Sequence, residues 1–212
     1  MASAEQATLW YFTDPMCSWC WGFTPVIEAV REHYHSRVAF ELVLAGLHPG
    51  ETEPITEIER HDIFHEWRQV HERSGQPFDF EHAAPAGFVC NSDPPCRAVL
   101  AAASLDKDLA FPMIKAIQTA FFAQGRDVTR PGTLADIAAE QGLERAAFLK
   151  AFESDDIRSR SQAQFVKTRQ MGVRGLPALI LQQGGELHHL CNSWQPIAKI
   201  CAAMDEKLGK PN

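Results

Sequence analysis

No basic block, no long apolar run and no second C-x-x-C motif occur in this 212-residue sequence, and each absence weighs against a class of function. Twenty Lys and Arg stand against 27 Asp and Glu, giving a formal net charge of −7. With no basic stretch to meet phosphates, the composition argues against a nucleic-acid partner. Nor does any apolar run approach the roughly 20 residues of a membrane-spanning helix, so no membrane partner is expected. A zinc ribbon needs two C-x-x-C motifs, and no metal site is expected. Residues Met1 to Thr8 carry neither the basic nor the apolar region of a secretory signal. If the chain begins natively at Met1, a cytoplasmic location follows. Thiols are kept reduced there, and a close cysteine pair points to catalysis or metal rather than to a structural bridge. No internal repeat or low-complexity segment is visible. An apolar content of 45% and a charged content of 22% fit a globular chain with a buried core. The length suits one large domain or one domain with a substantial insertion.

What the sequence does contain is Cys17-Ser18-Trp19-Cys20, placed where the apolar run Leu9 to Phe12 gives way to a helical pattern. Two thiols three positions apart at a helix start can close a small disulfide and reopen it without unfolding the chain. Cys17 is the candidate attacking thiolate and Cys20 the candidate resolving thiol. An ordinary thiol is mostly protonated at neutral pH. The helix N-terminus offers unpaired amides and a partial positive charge worth about 0.3–2 kcal/mol, enough to lower Cys17 by up to ~1.5 pKa units. Donation from the amides of Trp19 and Cys20 and from the Ser18 hydroxyl would add to this. Asp14 is open to three readings. A nearby carboxylate raises a thiol pKa, it could accept a proton from Cys20, or it is simply a turn residue before Pro15. Trp19, Trp21 and Phe23 either line an apolar substrate groove or join the core.

Periodicity orders the rest. A helix from Cys17 to about Tyr34, kinked at Pro25, leads to a buried strand at Val38 to Leu44. Residues 55 to 170 look almost wholly helical, with helices near Ile55–Arg73, Cys96–Leu105 (Pro94 and Pro95 in its first turn) and Phe111–Gln124. Others are expected after a Thr133 cap, at Glu144–Phe152 and at Asp156–Met171. Ala178–Leu181 and Glu186–Leu190 flank Gly184-Gly185 as a hairpin, and a helix near Pro196–Leu208 closes the chain.

The order β-α-β, helical block, β-β-α describes a thioredoxin-like α/β fold, residues 1–52 and 172–212, interrupted by an all-helical insertion at 53–171. Such a fold needs a loop proline beside the dithiol, and Val173-Arg174-Gly175-Leu176-Pro177 offers one. By analogy the Leu176-Pro177 bond would be cis, with the Leu176 backbone turned toward substrate. The alternative is a trans proline that starts a strand.

Asp14-Pro15-Met16-Cys17-Ser18-Trp19-Cys20-Trp21-Gly22-Phe23 and Gly172-Val173-Arg174-Gly175-Leu176-Pro177 together resemble the DsbA-type thioredoxin-fold superfamily, and most of all its cytoplasmic FrnE-like branch of disulfide isomerases. Ala45-Gly46-Leu47-His48-Pro49-Gly50, Cys96-Arg97-Ala98 and Gly125-Arg126-Asp127-Val128-Thr129 extend the resemblance over nearly the whole chain. It implies a helical insertion forming one wall of an active-site cleft, disulfide-containing protein or peptide substrates, and glutathione or another cellular thiol as reductant. No tightly bound cofactor is implied. Strongly oxidising relatives hold a His within the tetrapeptide. Ser-Trp in its place predicts moderate depression of the Cys17 pKa and a couple that reduces or isomerises. Two other functions stand beside this one. One is a glutathione-dependent transferase or isomerase of the kappa-class type, whose members place Ser where Cys17 sits. The other is a non-catalytic chaperone or binding module.

Weaker signals remain. Cys90 and Cys96 flank a rigid Asn-Ser-Asp-Pro-Pro loop and form a possible second redox pair, with two free thiols as the plainer reading. Cys191 and Cys201 read as core residues. His61 and His65, and His188-His189-x-Cys191, have only superficial metal-ligand spacing.

Overall fold

The computed structural model describes residues 7–209. Strand β1 (Ala7–Thr13) runs into helix α1 (Ser18–Tyr34), which crosses over to strand β2 (Val38–Leu44). Helices α2 (Glu57–Ser74), α3 (Asp93–Leu105), α4 (Ala110–Gln118), α5 (Pro131–Glu140), α6 (Arg145–Phe152) and α7 (Asp155–Gln170) follow. Strands β3 (Ala178–Gln183) and β4 (Glu186–Cys191) and helix α8 (Ile197–Leu208) complete the described chain.

The four strands form one mixed sheet in the order β2-β1-β3-β4. β1 pairs parallel with β2, Leu9 against Phe40, and antiparallel with β3, Leu9 against Leu181. The alternation of the strand assigns each face. Leu9 and Tyr11 join Phe23, Val30, Tyr34, Leu181, Ile200 and Met204 beneath α1 and α8, while Phe12 joins Val43, Ala178 and Ile180 on the other side. A separate, larger core lies among the helices, where Phe121 meets Trp67 and Phe122 edge to face and Phe64 lies tilted against Trp67. The thioredoxin-like α/β arrangement with helices between its two halves is therefore present.

Three local features bear on the site. Pro25 lies inside α1 and has no N–H for the Trp21 carbonyl four residues earlier. The Gln76 side-chain amide, from the loop after α2, donates to that carbonyl at 3.1 Å. Gly22 lets α2 approach α1 closely, since a Cβ there would stand 2.6 Å from Val70 Cγ1. The expected helix over Phe111–Gln124 is instead α4 followed by a wide π turn, Thr119–Ala123. The widened turn brings adjacent Phe121 and Phe122 both into the core, at 2% and 0% exposure. Thr133 is not the cap of α5. Arg130 holds that position, because Pro131 is preorganised for the first helical residue.

Candidate active site

The dithiol sits where β1 ends and α1 begins. Cys17 is the N-cap of α1, with extended backbone (φ −85°, ψ 114°), and its carbonyl accepts from the Trp21 amide at 3.0 Å. The Cys20 amide donates to Cys17 Sγ at 3.4 Å, so the sulfur takes the acceptor role that an oxygen plays in an ordinary cap. Cys17 is 7% exposed and Cys20 is fully buried. Only the first sulfur has any path to another molecule.

A cavity of about 280 Å³ opens on Cys17, walled by Leu47, His48, Ile63, Glu66, Trp67 and Cys90. The wall facing the dithiol thus comes largely from α2 and the segments around residues 47 and 90. On the far side of Trp19, a second cavity of about 220 Å³ is lined by Arg73, Leu176, Ser193 and Trp194. The Leu176-Pro177 bond is cis. Phe12–Ala178 is the last pair of the β1–β3 ladder, one residue past Pro177, and Leu176 lines the second cavity together with Trp19. Trp19 is half-buried, whereas Trp21 and Phe23 belong to the core at 4% and 0% exposure.

Asp14 is fully buried and organises the turn. Its carboxylate accepts from the amides of Met16 (2.8 Å) and Leu47 (2.7 Å) and from Cys96 Sγ (3.5 Å). One side chain thus ties the dithiol turn to the loop after β2 and to α3. Burial raises its pKa above the ordinary 3.8, against the opposing pull of the Leu47 and Met16 amides. The Ser18 hydroxyl donates to Glu66 rather than to the Cys17 sulfur, which corrects the role expected of it. A carboxylate outcompetes a thiol sulfur as acceptor, and α2 brings one within reach.

The electrostatics also differ from the depression expected for Cys17. Its pKa is pushed well above the thiol range, first by its hydrogen bond with Cys20, then by burial, by charge on Cys20 and by Asp14. The Cys20 amide alone among these pulls it down. Two adjacent buried thiolates repel, so the dithiol holds its second proton tightly. The helix start favours the single negative charge on Cys17, the sulfur that the amide faces.

Cys90 and Cys96 are free thiols, as are the other four cysteines. Cys96 is turned to Asp14, while Cys90 faces the Cys17 cavity. Burial, then Glu51 and Glu59, push Cys90 up to about 11. Burial, then Asp14, push Cys96 well above its ordinary value.

A family model described as a DSBA-like thioredoxin domain matches residues 8–197. The chain belongs to this family. Among solved structures, it is similar to one from Nitrosomonas europaea provisionally assigned as a protein disulfide isomerase. They share 35% identity over 96% of this chain and 98% of that one, with a TM-score of 0.91. It is also similar to the cytosolic disulfide reductase DsbM from Pseudomonas aeruginosa: 28% identity, 94% and 98% coverage, TM-score 0.79. A DsbM structure with GSH matches at 27% identity over the same shares, TM-score 0.77. Among curated proteins, the ClpXP adapter protein SpxH of Halalkalibacterium halodurans is 23% identical over 184 residues, 81% of this chain and 57% of that protein. The chain spans a little over half the length of the curated relatives it matches.

In this DSBA-like chain several residues around the dithiol escaped sequence reasoning. Glu66 receives the Ser18 hydroxyl, and Arg73 and Trp194 line a cavity with Trp19, the Arg73 guanidinium lying 5.0 Å from the centroid of the Trp194 ring. Thr24 sits between the Cys20 carbonyl (3.3 Å) and Gln118 Oε1 (3.0 Å), while Gln118 Nε2 donates to the Asp14 carbonyl (3.4 Å). Only Thr24 had a local signal, lying one helical turn after Cys20.

Proposed function

We propose that this DSBA-like protein is a thiol–disulfide reductase or isomerase working through Cys17 and Cys20. The Cys17 thiolate attacks a substrate disulfide, forming a mixed disulfide and releasing one substrate thiolate, which takes up a proton. Cys20 gives up its proton and attacks the Cys17 sulfur, which releases the second substrate thiol and leaves a Cys17–Cys20 disulfide. Two electrons pass from the dithiol to the substrate. Glutathione or another cellular thiol returns them, and the net direction in a reducing cytoplasm is reduction or isomerisation. The observation that carries this reading is the asymmetry of the pair. Cys17 lines a cavity and faces an amide donor, whereas Cys20 is sealed behind it. DsbM, a cytosolic disulfide reductase, supports the direction. Asp14, Ser18, Trp19, Leu176 and Pro177 serve as the frame for the pair, with Trp19 and Leu176 offering the surface on which an extended substrate lies.

Cysteine variants test it. Cys17→Ser should abolish disulfide turnover, and Cys20→Ser should accumulate mixed disulfides with substrate. Normal reductase activity in Cys17→Ser would sink the proposal. The SpxH likeness favours a second reading, a binding role that delivers a partner without chemistry. Partner binding that survives loss of both Cys17 and Cys20, in a protein without reductase activity, would select it.

A further inference from the structure

A cavity of about 520 Å³ lies between α1 and α4 and shares no lining residue with the Cys17 cleft. Its walls include Tyr11, Ile27, Arg31, Phe111 and Ile114, with Gln124 and Gln141 at its polar end. The volume falls in the range of about 300–1,000 Å³ typical of small-molecule sites.

The charges lining it are not balanced group by group. Glu28 is paired with Lys115 at 2.6 Å, and Glu140 with Arg126 at 3.0 Å. Arg31 has no carboxylate within ion-pair distance among the described residues. Its Nε is buried with no hydrogen-bond partner, and its guanidinium carbon lies 3.8 Å from the centroid of the Phe111 ring. Phe111 in turn stacks on Tyr11, with ring centroids 6.4 Å apart and planes 14° from parallel. A cation held in place by an aromatic face, partly desolvated and without a direct ion pair, is costly unless something pairs with it. Burial accordingly lowers the Arg31 pKa, and the charge of Glu28 only partly opposes this.

We propose that this cavity binds a small, flat organic monocarboxylate. Its carboxylate pairs with Arg31 through the planar, two-pronged geometry that a guanidinium favours, and its apolar body lies against Ile27 and Ile114. One negative charge matches the one lining cation that has no ion-pair partner among the described residues. A second charge would meet Glu28 and Glu140. The side-chain amides of Gln124 and Gln141 have no protein partner among the described residues and supply further donors.

The test uses the full chain, isotope-labelled for NMR, titrated with benzoate and separately with benzamide, its neutral near-isostere. Benzoate is expected to shift the amide resonances of Thr24, Arg31, Lys115 and Gln118 saturably, with a Kd on the order of millimolar for so small a ligand. Benzamide should bind about tenfold or more weakly, the worth of a charge-assisted hydrogen bond. Arg31→Gln should erase the difference between the two compounds, and Arg31→Lys should keep part of it. Equal binding of benzoate and benzamide, or no saturable shift around Arg31, would overturn the proposal. The wild-type comparison decides this even where Arg31→Gln folds poorly.

Discussion

The two cysteine pairs near the cleft, Cys17/Cys20 and Cys90/Cys96, differ in what meets their sulfurs and in which member is sealed: Cys20 in the first, Cys96 in the second, with Cys90 half-buried. Cys17 caps a helix and receives the amide of its own partner. Cys96 lies in the first turns of α3 yet donates to Asp14, and Cys90 feels Glu51 and Glu59. A Gly46 amide also reaches Cys96, but burial and the carboxylate outweigh it. Asp14 acts on both regions, as the first charge opposing the Cys96 thiolate and a lesser influence on Cys17. Proximity to a helix start therefore does not by itself lower a thiol pKa: Cys17 and Cys96 are both pushed up, and what separates them is that Cys17 opens on a cavity whereas Cys96 is sealed against Asp14.

The largest expected difference between the pairs is in turnover. Cys17→Ser should bring disulfide reduction to background, while Cys90→Ser and Cys96→Ser leave it near wild type in the same assay. Equal losses would erase the distinction. Next comes Asp14→Asn, which cannot accept from both the Met16 and Leu47 amides without turning an N–H toward one of them. Denaturant unfolding near neutral pH should show a loss of about 1–3 kcal/mol for the group left unsatisfied. Its pH dependence has a definite sign. Native Asp14 keeps its proton to higher pH than the unfolded chain, so its contribution is fully present below 3.8 and is lost as pH rises through the raised native value. The variant should lack that decline in a series of unfolding curves across the acid range.

A smaller effect concerns Cys90. With its pKa pushed up to about 11, alkylation mapped by peptide mass spectrometry should accelerate about tenfold per pH unit between roughly pH 8 and 10. A profile half-maximal near pH 8.5 that levels off by about pH 9.5 would mean that Cys90 resembles an ordinary thiol. Smallest of all, Glu51→Gln should move that profile down by a fraction of a unit, since burial rather than Glu51 is the leading cause.

The dithiol, the strands as elements and the loop proline were legible because each is written in adjacent residues. The C-x-x-C spacing, the compact apolar run Leu9 to Phe12 and the Leu176-Pro177 pair all act within one element or one turn. The partners that adjust the site are not local. Glu66 meets Ser18 across 48 positions, Gln76 reaches Trp21 across 55, and Gln118 reaches Asp14 across 104. Such pairings depend on how α2 and α4 dock, which no single helical pattern encodes. Ser18 illustrates the consequence. Its position beside Cys17 predicts donation to the sulfur, and only the docking of α2 reveals a stronger acceptor. The misplaced Thr133 cap has a different origin, two local signals in conflict, with Pro131 the stronger.

The hydrogen bond with Cys20, burial and, to a lesser degree, Asp14 disfavour the Cys17 thiolate, no His between the cysteines offsets them, and a less stable thiolate means a more stable disulfide and a lower potential. The most direct test is therefore the equilibrium reduction potential of the Cys17–Cys20 couple against a glutathione buffer. The couple is expected toward the thioredoxin end, about −270 mV, lost in Cys17→Ser and unchanged in Cys90→Ser. A value near −120 mV would make the protein an oxidant and contradict that expectation.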